Sequence, residues 1–360
     1  MLTCGLVGLP LAGKTTIYNV ITHAGAATKA YAGGSADPNR AVVPVPDARF
    51  DRLVELFHPR KATPASVCVV DLAGVQAGSA HDRGIGTDLL TFAADAAALI
   101  HVVRGFDGEA VPHPEGSVQP LRDWRMIETE LILRDMQVIE NRLTRMEKGR
   151  NKRSPAETAE VALLERCQAH LLEEQPLRSL ELTADEVKAL SGYAFLTLKP
   201  QVVVLNDHES QGHDGADLSA LAQQHHLGYV RVFGQIEAEL ADLAPEDRAM
   251  FLTDLGIEQL GRERLIAEAY RHLGLISFYT VGEDEVKAWT IPAGSTAVEA
   301  AGAIHSDLAR GFIRAQVVAY EDLIAHGGTW AGARQAGRAR LEGRDYIVQD
   351  GDILEIRFNV

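Results

Sequence analysis

A glycine-rich run near the N-terminus has the residue types and the spacing needed to bind a chain of phosphates. It reads Gly8-Leu9-Pro10-Leu11-Ala12-Gly13-Lys14-Thr15, with Thr16 following. The glycines let successive backbone N–H groups face the phosphates, while Lys14 reaches the outer phosphates and Thr15 places its hydroxyl on Mg²⁺. The run follows a strand-like apolar segment and opens a helical pattern, whose N-terminus adds a positive dipole end. We predict a nucleoside triphosphate site here rather than an ordinary strand–turn–helix.

Two further polar clusters follow strand-like runs. Asp71-Leu72-Ala73-Gly74 comes after a β-branched run, and Asn206-Asp207-His208-Glu209 comes after another. A carboxylate in the first place holds Mg²⁺ through water, and the N–H of Gly74 meets the γ-phosphate. The second place is where P-loop GTPases carry the residues that read the base. Because open α/β sheets bind ligands at the carboxyl ends of their strands, we expect both clusters beside the phosphate loop.

Composition narrows the class of protein. The 360 residues suffice for two or three domains, and an apolar content of 46% allows a sizeable core. No apolar run reaches the about 18 residues that a membrane helix needs, so we expect no membrane partner. Cys4, Cys68 and Cys167 have neither metal-ligand nor disulfide spacing, which is typical of the reducing cytoplasm. The net charge of -15 disfavours broad binding to nucleic acid, so we expect no sequence-specific DNA partner, and RNA only at a local basic patch.

Near-continuous apolar runs separated by helical stretches predict an α/β fold with a mostly parallel sheet covered on both faces. Between about Asp123 and Leu190, two long helical patterns interrupt this order. Their apolar stripes contain Ile132, Met136, Ile139, Leu143 and Met146 in the first, and Val161, Leu164 and Leu171 in the second. A polar turn separates them, so we predict an inserted antiparallel helical arm. The pattern is too short to separate a coiled coil from a packed helix pair.

The last part of the chain carries several short strand candidates and one short helix, which predicts a compact α+β domain. We therefore expect three regions. They are a P-loop nucleotide-binding domain at 1–122 and 200–274, the helical arm at 123–199, and the C-terminal domain at 275–360.

Two weaker signals each keep two interpretations. A basic cluster at the arm tip is either an RNA contact on an acidic protein or a solvated helix tip. It contains Arg142, Arg145, Lys148, Arg150, Lys152 and Arg153. His113, within Val111-Pro112-His113-Pro114, either orients water near the γ-phosphate or is a solvated loop histidine.

Several motifs along nearly the whole chain resemble the YchF group of Obg-like translation-factor GTPases. Besides the phosphate loop and Asp71-Leu72-Ala73-Gly74, they are Asp37-Pro38-Asn39 with Val42-Val43-Pro44-Val45-Pro46-Asp47, Asn206 with Glu209, Ile236-Glu237-Ala238-Glu239-Leu240, Tyr346-Ile347-Val348-Gln349-Asp350-Gly351-Asp352 and Arg357-Phe358-Asn359-Val360. The resemblance implies a P-loop domain, an inserted coiled-coil arm and a TGS domain with a ubiquitin-like β-grasp fold. It also implies a ribosome-associated nucleotide hydrolase that favours ATP over GTP.

The motifs and the resemblance together assign roles to individual residues. The catalytic set is Lys14, Thr15, Gly74 and His113, and the Mg²⁺ ligands are Thr15, Ser35 and Asp71. The nucleotide contacts are Gly8, Leu9, Pro10, Leu11, Ala12, Gly13, Lys14, Thr15, Thr16, Asn206, Glu209, Phe233, Gly234 and Gln235. The ribosome or its RNA is expected to meet Lys148, Arg150, Lys152 and Arg153 at the arm tip, together with the TGS-like domain.

Some positions depart from the family pattern. Ser35 replaces a threonine, Arg83 replaces a glutamate, and Phe233-Gly234-Gln235 replaces Ser-Ala-Lys beside the base. These changes leave phosphate binding intact but bear on hydrolysis. The leading hypothesis is a slow Mg²⁺-dependent ATPase switch. Its alternatives are a regulatory scaffold that binds nucleotide with negligible hydrolysis, and a GTPase that prefers GTP.

Overall fold

The computed structural model describes residues 2–23, 29–31, 39–71, 93–108, 111–147, 154–208, 215–241, 243–254 and 259–359. The chain divides into two compact units. Unit 1 comprises Met1–Val43 with Cys68–Ala269, and unit 2 comprises Pro44–Val67 with Tyr270–Val360.

The described residues contain thirteen strands and thirteen α-helices. The strands β1 to β13 are Thr3–Val7, Lys29–Tyr31, Asn39–Pro44, Lys61–Thr63, Ser66–Asp71, Ala98–Arg104, Gln201–Asn206, Gly228–Val232, Leu275–Thr280, Glu285–Pro292, Phe312–Ala319, Arg340–Glu342 and Asp352–Phe358. The helices α1 to α13 are Lys14–His23, Ala48–Phe57, Pro120–Glu147, Pro155–Leu172, Ala184–Leu190, Ala216–Gln224, Gly234–Ala241, Pro245–Asp254, Gly261–His272, Ala297–Ile304, Ser306–Arg310, Tyr320–Ala325 and Trp330–Gln335. None of the helices that the structure describes is both long and apolar enough to cross a bilayer.

A seven-stranded sheet forms the centre of unit 1, in the order β2-β3-β5-β1-β6-β7-β8. Strand β1 runs parallel to β5 and β6, and β7 runs parallel to β6 and β8. Only the short β2 is antiparallel to its neighbour β3 among the pairings described. Every residue of β6 and β7 is buried, as expected of central strands with both faces covered. The predicted mostly parallel α/β sheet is therefore confirmed.

The arm begins on this sheet and extends as two packed helices. Helix α3 starts at Pro120, whose fixed φ suits the first helical position, and α4 starts after Ser154, whose side chain forms a capping box with Glu157. The two predicted stripes meet in one cluster that buries Ile139, Leu164 and neighbouring side chains. The helix pair is thus observed, while its description as a coiled coil remains a prediction.

Unit 2 contains a six-stranded sheet in the order β12-β11-β13-β9-β10-β4. Strands β9 and β10 form an antiparallel hairpin, and β13 lies parallel to β9. Helix α10 covers one face, burying Ala297, Ala300 and Ala301 against Phe278 and Val317. The predicted α+β character is confirmed, while the β-grasp and TGS assignment remains a prediction.

Residues 44–67 differ from the predicted boundaries, which placed them in the nucleotide-binding domain. Within unit 2, β4 pairs in parallel with β10, starting from Lys61 opposite Glu285. Asp47, the N-cap of α2, accepts hydrogen bonds from Arg49 and from the hydroxyl of Tyr279. Arg49 also donates to Asp350 at 2.8 Å. The strand pairing and these hydrogen bonds join α2 and β4 to the C-terminal part of the chain. They correct the predicted boundary at residues 44–67.

Candidate nucleotide-binding site

The phosphate loop connects β1 to α1, and its two glycines occupy positions that no larger residue fits. Gly8 has a φ of +149°, and a Cβ there would lie 2.3 Å from the carbonyl oxygen of Val102. Gly13 has a φ of +90°, and its Cβ would lie 2.1 Å from Nδ2 of Asn206. Both requirements arise because the loop backbone is pressed against β6 and β7, as a tight phosphate cradle requires.

Lys14 arches back over this loop. Its Nζ donates to the carbonyl oxygens of Gly8 and Leu9, each at 2.9 Å, and the residue is buried. Burial lowers the pKa of Lys14 to about 8, an effect that the nearby carboxylate of Asp71 opposes. An ammonium group has three N–H donors, so one remains for a phosphate oxygen after these two bonds. A bound polyphosphate would also supply negative charge to this buried cation, beside that of Asp71.

Thr15 and Asp71 meet at the start of α1. The hydroxyl of Thr15 donates to Oδ2 of Asp71 at 3.0 Å, and Asp71 ends β5 as a buried residue. A hydroxyl and a carboxylate side by side are hard oxygen donors, and Mg²⁺ in nucleotide sites takes only one or two such protein ligands besides water and phosphate. This pair therefore fits the metal that the sequence implied.

Asn206 ends β7 and braces the phosphate loop. Its Nδ2 donates to the carbonyl oxygen of Ala12 at 3.1 Å, and its Oδ1 lies against Gly234 at the start of α7. The amide group thus joins the loop to the segment that follows β8. Among the other predicted contacts, Phe233 is half-buried, whereas Gln235 is exposed and donates to Glu239 on its own helix at 3.2 Å. Asn206 and Gly234 are brought to the loop, and Gln235 is turned along its helix.

His113 is not the solvated loop residue that one interpretation expected. Its side chain is only 5% exposed, and Nε2 lies 2.9 Å from Oδ2 of Asp123 in the first turn of α3. His113 also lines a narrow crevice together with Leu9, Pro10 and Ala12 of the phosphate loop. The structure therefore brings His113 and the phosphate loop to one crevice.

Other predicted positions lie outside the described residues. They are Ser35, Gly74, Arg83 and Glu209 at the nucleotide site, and Lys148, Arg150, Lys152 and Arg153 at the arm tip.

Comparisons with known proteins point to one family. A family model described as 50S ribosome-binding GTPase matches residues 3–142, and a model of the C-terminal domain of YchF GTPases, described as of unknown function, matches residues 275–359. The chain is 42% identical to the ribosome-binding ATPase YchF of Bacillus subtilis (strain 168) over 365 residues, covering 100% of each. It is 39% identical to the protein of that name from Escherichia coli O157:H7 over 360 residues, covering 99% of each.

The same relationship is visible in three dimensions. The solved structure of the Schizosaccharomyces pombe YchF GTPase superposes with a TM-score of 0.88 at 30% sequence identity, covering 99% of this chain and 97% of that one. The chain belongs to the YchF family. Its P-loop GTPase fold, predicted from the motifs, is confirmed.

In this YchF-family protein, two residues beside the site make contacts that the sequence did not predict. Asp207 is buried and accepts from Nε of Arg231 at 2.6 Å, and the guanidinium of Arg231 lies over the ring of Phe233, 5.1 Å from its centre. Through Arg231, Asp207 thus helps to hold the ring of Phe233 in place. The sequence does not predict the contact between Asp207 and Arg231, because Asp207 belongs to a motif whose position predicts contact with the base.

Arg104 was missed as well. At the end of β6 its buried guanidinium donates to the carbonyl oxygens of Phe106 at 2.9 Å and Val111 at 2.8 Å. Three residues earlier on the same strand, His101 is fully buried, neither of its ring nitrogens is hydrogen-bonded to any residue that the structure describes, and burial lowers its pKa to about 3. His101 is therefore neutral and packs in parallel with Trp124 at 6.4 Å. No spacing rule distinguishes these residues from ordinary strand residues.

Proposed function

We propose that this protein is a nucleotide-dependent switch that binds and slowly hydrolyses ATP, and GTP more weakly, with Mg²⁺. The observation that carries the proposal is the phosphate loop with Lys14 above it and the Thr15–Asp71 pair beside it. Lys14 would hold the outer phosphates. Thr15 and Asp71, with Ser35 as the resemblance implies, would hold Mg²⁺, which neutralises charge on the phosphates.

The same proposal assigns the remaining residues by role. The N–H of Gly74 would sense the γ-phosphate, and Asn206 with Phe233 and Gly234 would border the base. His113 would orient the attacking water, because it lines the same narrow crevice as Leu9, Pro10 and Ala12 of the phosphate loop. Preorganised dipoles of the loop supply most of the transition-state stabilisation in such a site.

We expect ATP to bind more tightly and to be hydrolysed faster than GTP. Guanine-specific P-loop proteins use an aspartate to accept two hydrogen bonds from guanine, and Glu209 stands at that place with one extra methylene. Unpaired donors in a closed site cost about 1–3 kcal/mol, or roughly tenfold to a hundredfold in affinity. The measurement is phosphate release and competitive titration with MgATP and MgGTP. Tighter binding of GTP would overturn the role of Glu209, and binding of either nucleotide without any release of phosphate would favour the regulatory scaffold.

We further propose that the ribosome is the partner, and that the protein works in the cytoplasm. The relatives named ribosome-binding ATPase support the first statement, and the second follows from it. The arm tip is the proposed contact, because its basic residues stand out on a chain with a net charge of -15.

Replacing Lys148, Arg150, Lys152 and Arg153 together with alanine is expected to weaken co-sedimentation with ribosomes and to flatten its dependence on salt. Each lost phosphate contact removes about 0.7–0.9 from the slope of log affinity against log salt. The matched control removes four exposed cations away from the arm tip and the C-terminal domain, at Arg40, Arg125, Lys188 and Arg264, and is expected to leave binding unchanged. Equal losses in both variants would assign the effect to net charge alone.

A further inference from the structure

His113 and Asp123 form a closed polar pair beside the phosphate loop. Both side chains are at most 5% exposed, and Nε2 of His113 lies 2.9 Å from Oδ2 of Asp123. The other carboxylate oxygen of Asp123 accepts from Nε of Arg122 at 2.9 Å and from its terminal nitrogen at 2.6 Å. Asp123 is therefore held in one orientation, with a single oxygen directed at the imidazole.

The backbone determines which ring nitrogen carries the proton. The N–H of Glu115 points at Nδ1 of His113, 3.1 Å away, so Nδ1 is the acceptor. In a neutral imidazole the other nitrogen must then be the donor, and Nε2 donates to Asp123. Asp123 and the turn after His113 thus select one tautomer, in which the lone pair lies on Nδ1.

The loop that carries His113 is also fixed from its other end. Arg104 donates to the carbonyl oxygens of Phe106 and Val111, both of which precede His113 in the chain. Arg104, Asp123 and His113 all line the narrow crevice that reaches Leu9 and Ala12. Arg104 and Asp123 thus hold His113 near the phosphate loop. Neither side chain takes part in the hydrogen bonds of that loop described above.

We propose that Asp123 is the positioning residue for His113, and that Nδ1 is the nitrogen that meets the attacking water. The inference rests on the proposed catalytic role of His113. In the reaction, the water oxygen forms a bond to the γ-phosphorus and the bond from that phosphorus to the β–γ bridging oxygen breaks, its electron pair staying on the nucleoside diphosphate. One water proton passes to Nδ1 in place of the Glu115 N–H contact and later leaves to solvent. Asp123 stabilises the imidazolium that forms in between.

Asp123→Asn is expected to lower kcat about tenfold to a hundredfold while leaving the affinity for ATP unchanged. The amide keeps the size of the carboxylate but loses its charge, and it can turn its N–H₂ group toward Nε2 and so favour the other tautomer. General acid–base groups contribute about 10²–10⁴-fold, of which a positioning residue controls a part. Asp185→Asn makes the same change in the first turn of α5, a helix of the arm, and serves as the matched control.

A double-mutant cycle with His113→Gln separates this inference from the proposed function. If Asp123 acts through His113, adding Asp123→Asn to His113→Gln lowers kcat no further. Additive losses, or a normal kcat in Asp123→Asn while His113→Gln loses turnover, would overturn the positioning role and leave the role of His113 standing. Normal turnover in His113→Gln would overturn the catalytic role itself.

Nitrogen NMR of the imidazole gives a readout that a merely structural residue would not change. In the unmodified protein we expect His113 to show a protonated Nε2 and an unprotonated Nδ1, and we expect Asp123→Asn to shift that ratio. This measurement needs folded protein but no turnover. An unprotonated Nε2 in the unmodified protein would contradict the tautomer on which the inference depends.

Discussion

Lys14→Ala is expected to lower the affinity for nucleoside triphosphates at least about a hundredfold and to bring phosphate release to background. The ammonium group makes charge-assisted hydrogen bonds to phosphate, each contributing about 1.5–3 kcal/mol, and every 1.4 kcal/mol is about tenfold in affinity. Alanine also leaves the carbonyl oxygens of Gly8 and Leu9 without the donor that now bridges them at 2.9 Å. Both effects act on the same loop, so binding and turnover should fall together.

Titration with a fluorescent ATP analogue and a phosphate-release assay would measure the two losses separately. Lys188→Ala removes an exposed lysine from the arm and should change neither. A turnover that persists in Lys14→Ala would show that the hydrolysis observed comes from another site or another protein. Lost turnover with unchanged affinity would show that Lys14 acts only on the transition state, contrary to its proposed part in binding.

The phosphate loop could be predicted from local patterns, because its residues are neighbours in sequence. The spacing of Gly8, Gly13 and Lys14 lies within one short segment, although the close approach to Val102 and Asn206 that requires the glycines comes from other strands. Asp71 could be predicted because it follows a β-branched run, and the end of that run marks the carboxyl end of the strand. The order of the central strands then follows from parallel connections, which bring the ends of β1, β5 and β7 to one edge of the sheet.

The surroundings of His113 could not be read from the sequence in the same way. A histidine between two prolines has the pattern of a loop residue. The residues next to it do not predict that a carboxylate in the first turn of α3 is directed at its ring. The decisive term is the burial of both groups, which is a property of the folded loop. A carboxylate ten residues downstream, in the first turn of a predicted helix, was the one available hint.

The placement of residues 44–67 depended on contacts that are remote in sequence. Strand β4 has three residues, two of them exposed, so its apolar pattern is too weak to predict a strand. Its partner β10 lies more than two hundred positions away, and Lys61 pairs there with Glu285 at 2.7 Å. Such pairings are set by the whole fold rather than by local propensity, which is why a boundary drawn from the order of strand and helix candidates failed at this point.

Asp135→Ala is expected to lower the free energy of unfolding by about 3 kcal/mol, since it leaves two buried backbone donors unpaired at about 1–3 kcal/mol each. Asp135 lies on α3, is fully buried, and accepts from the N–H groups of Leu196 at 2.9 Å and Thr197 at 2.8 Å. The hydroxyl of Thr197 donates to it as well, at 2.8 Å. These bonds tie the middle of α3 to the segment that returns to β7.

Urea unfolding followed by the far-ultraviolet signal would measure this loss, with Glu140→Ala as the control on an exposed face of the same helix. Asp135→Asn keeps one acceptor oxygen, so it should lose less stability than alanine, and an equal loss would mean that the backbone donors find water instead.

Asp135 touches none of the nucleotide-site residues described above, so the turnover of folded Asp135→Ala should stay normal. We therefore expect opposite effects from the two aspartates of α3: substitution of Asp135 should change stability without changing kcat, and substitution of Asp123 should change kcat through His113. A loss of kcat in folded Asp135→Ala would mean that the course of α3, and not Asp123 alone, positions the histidine.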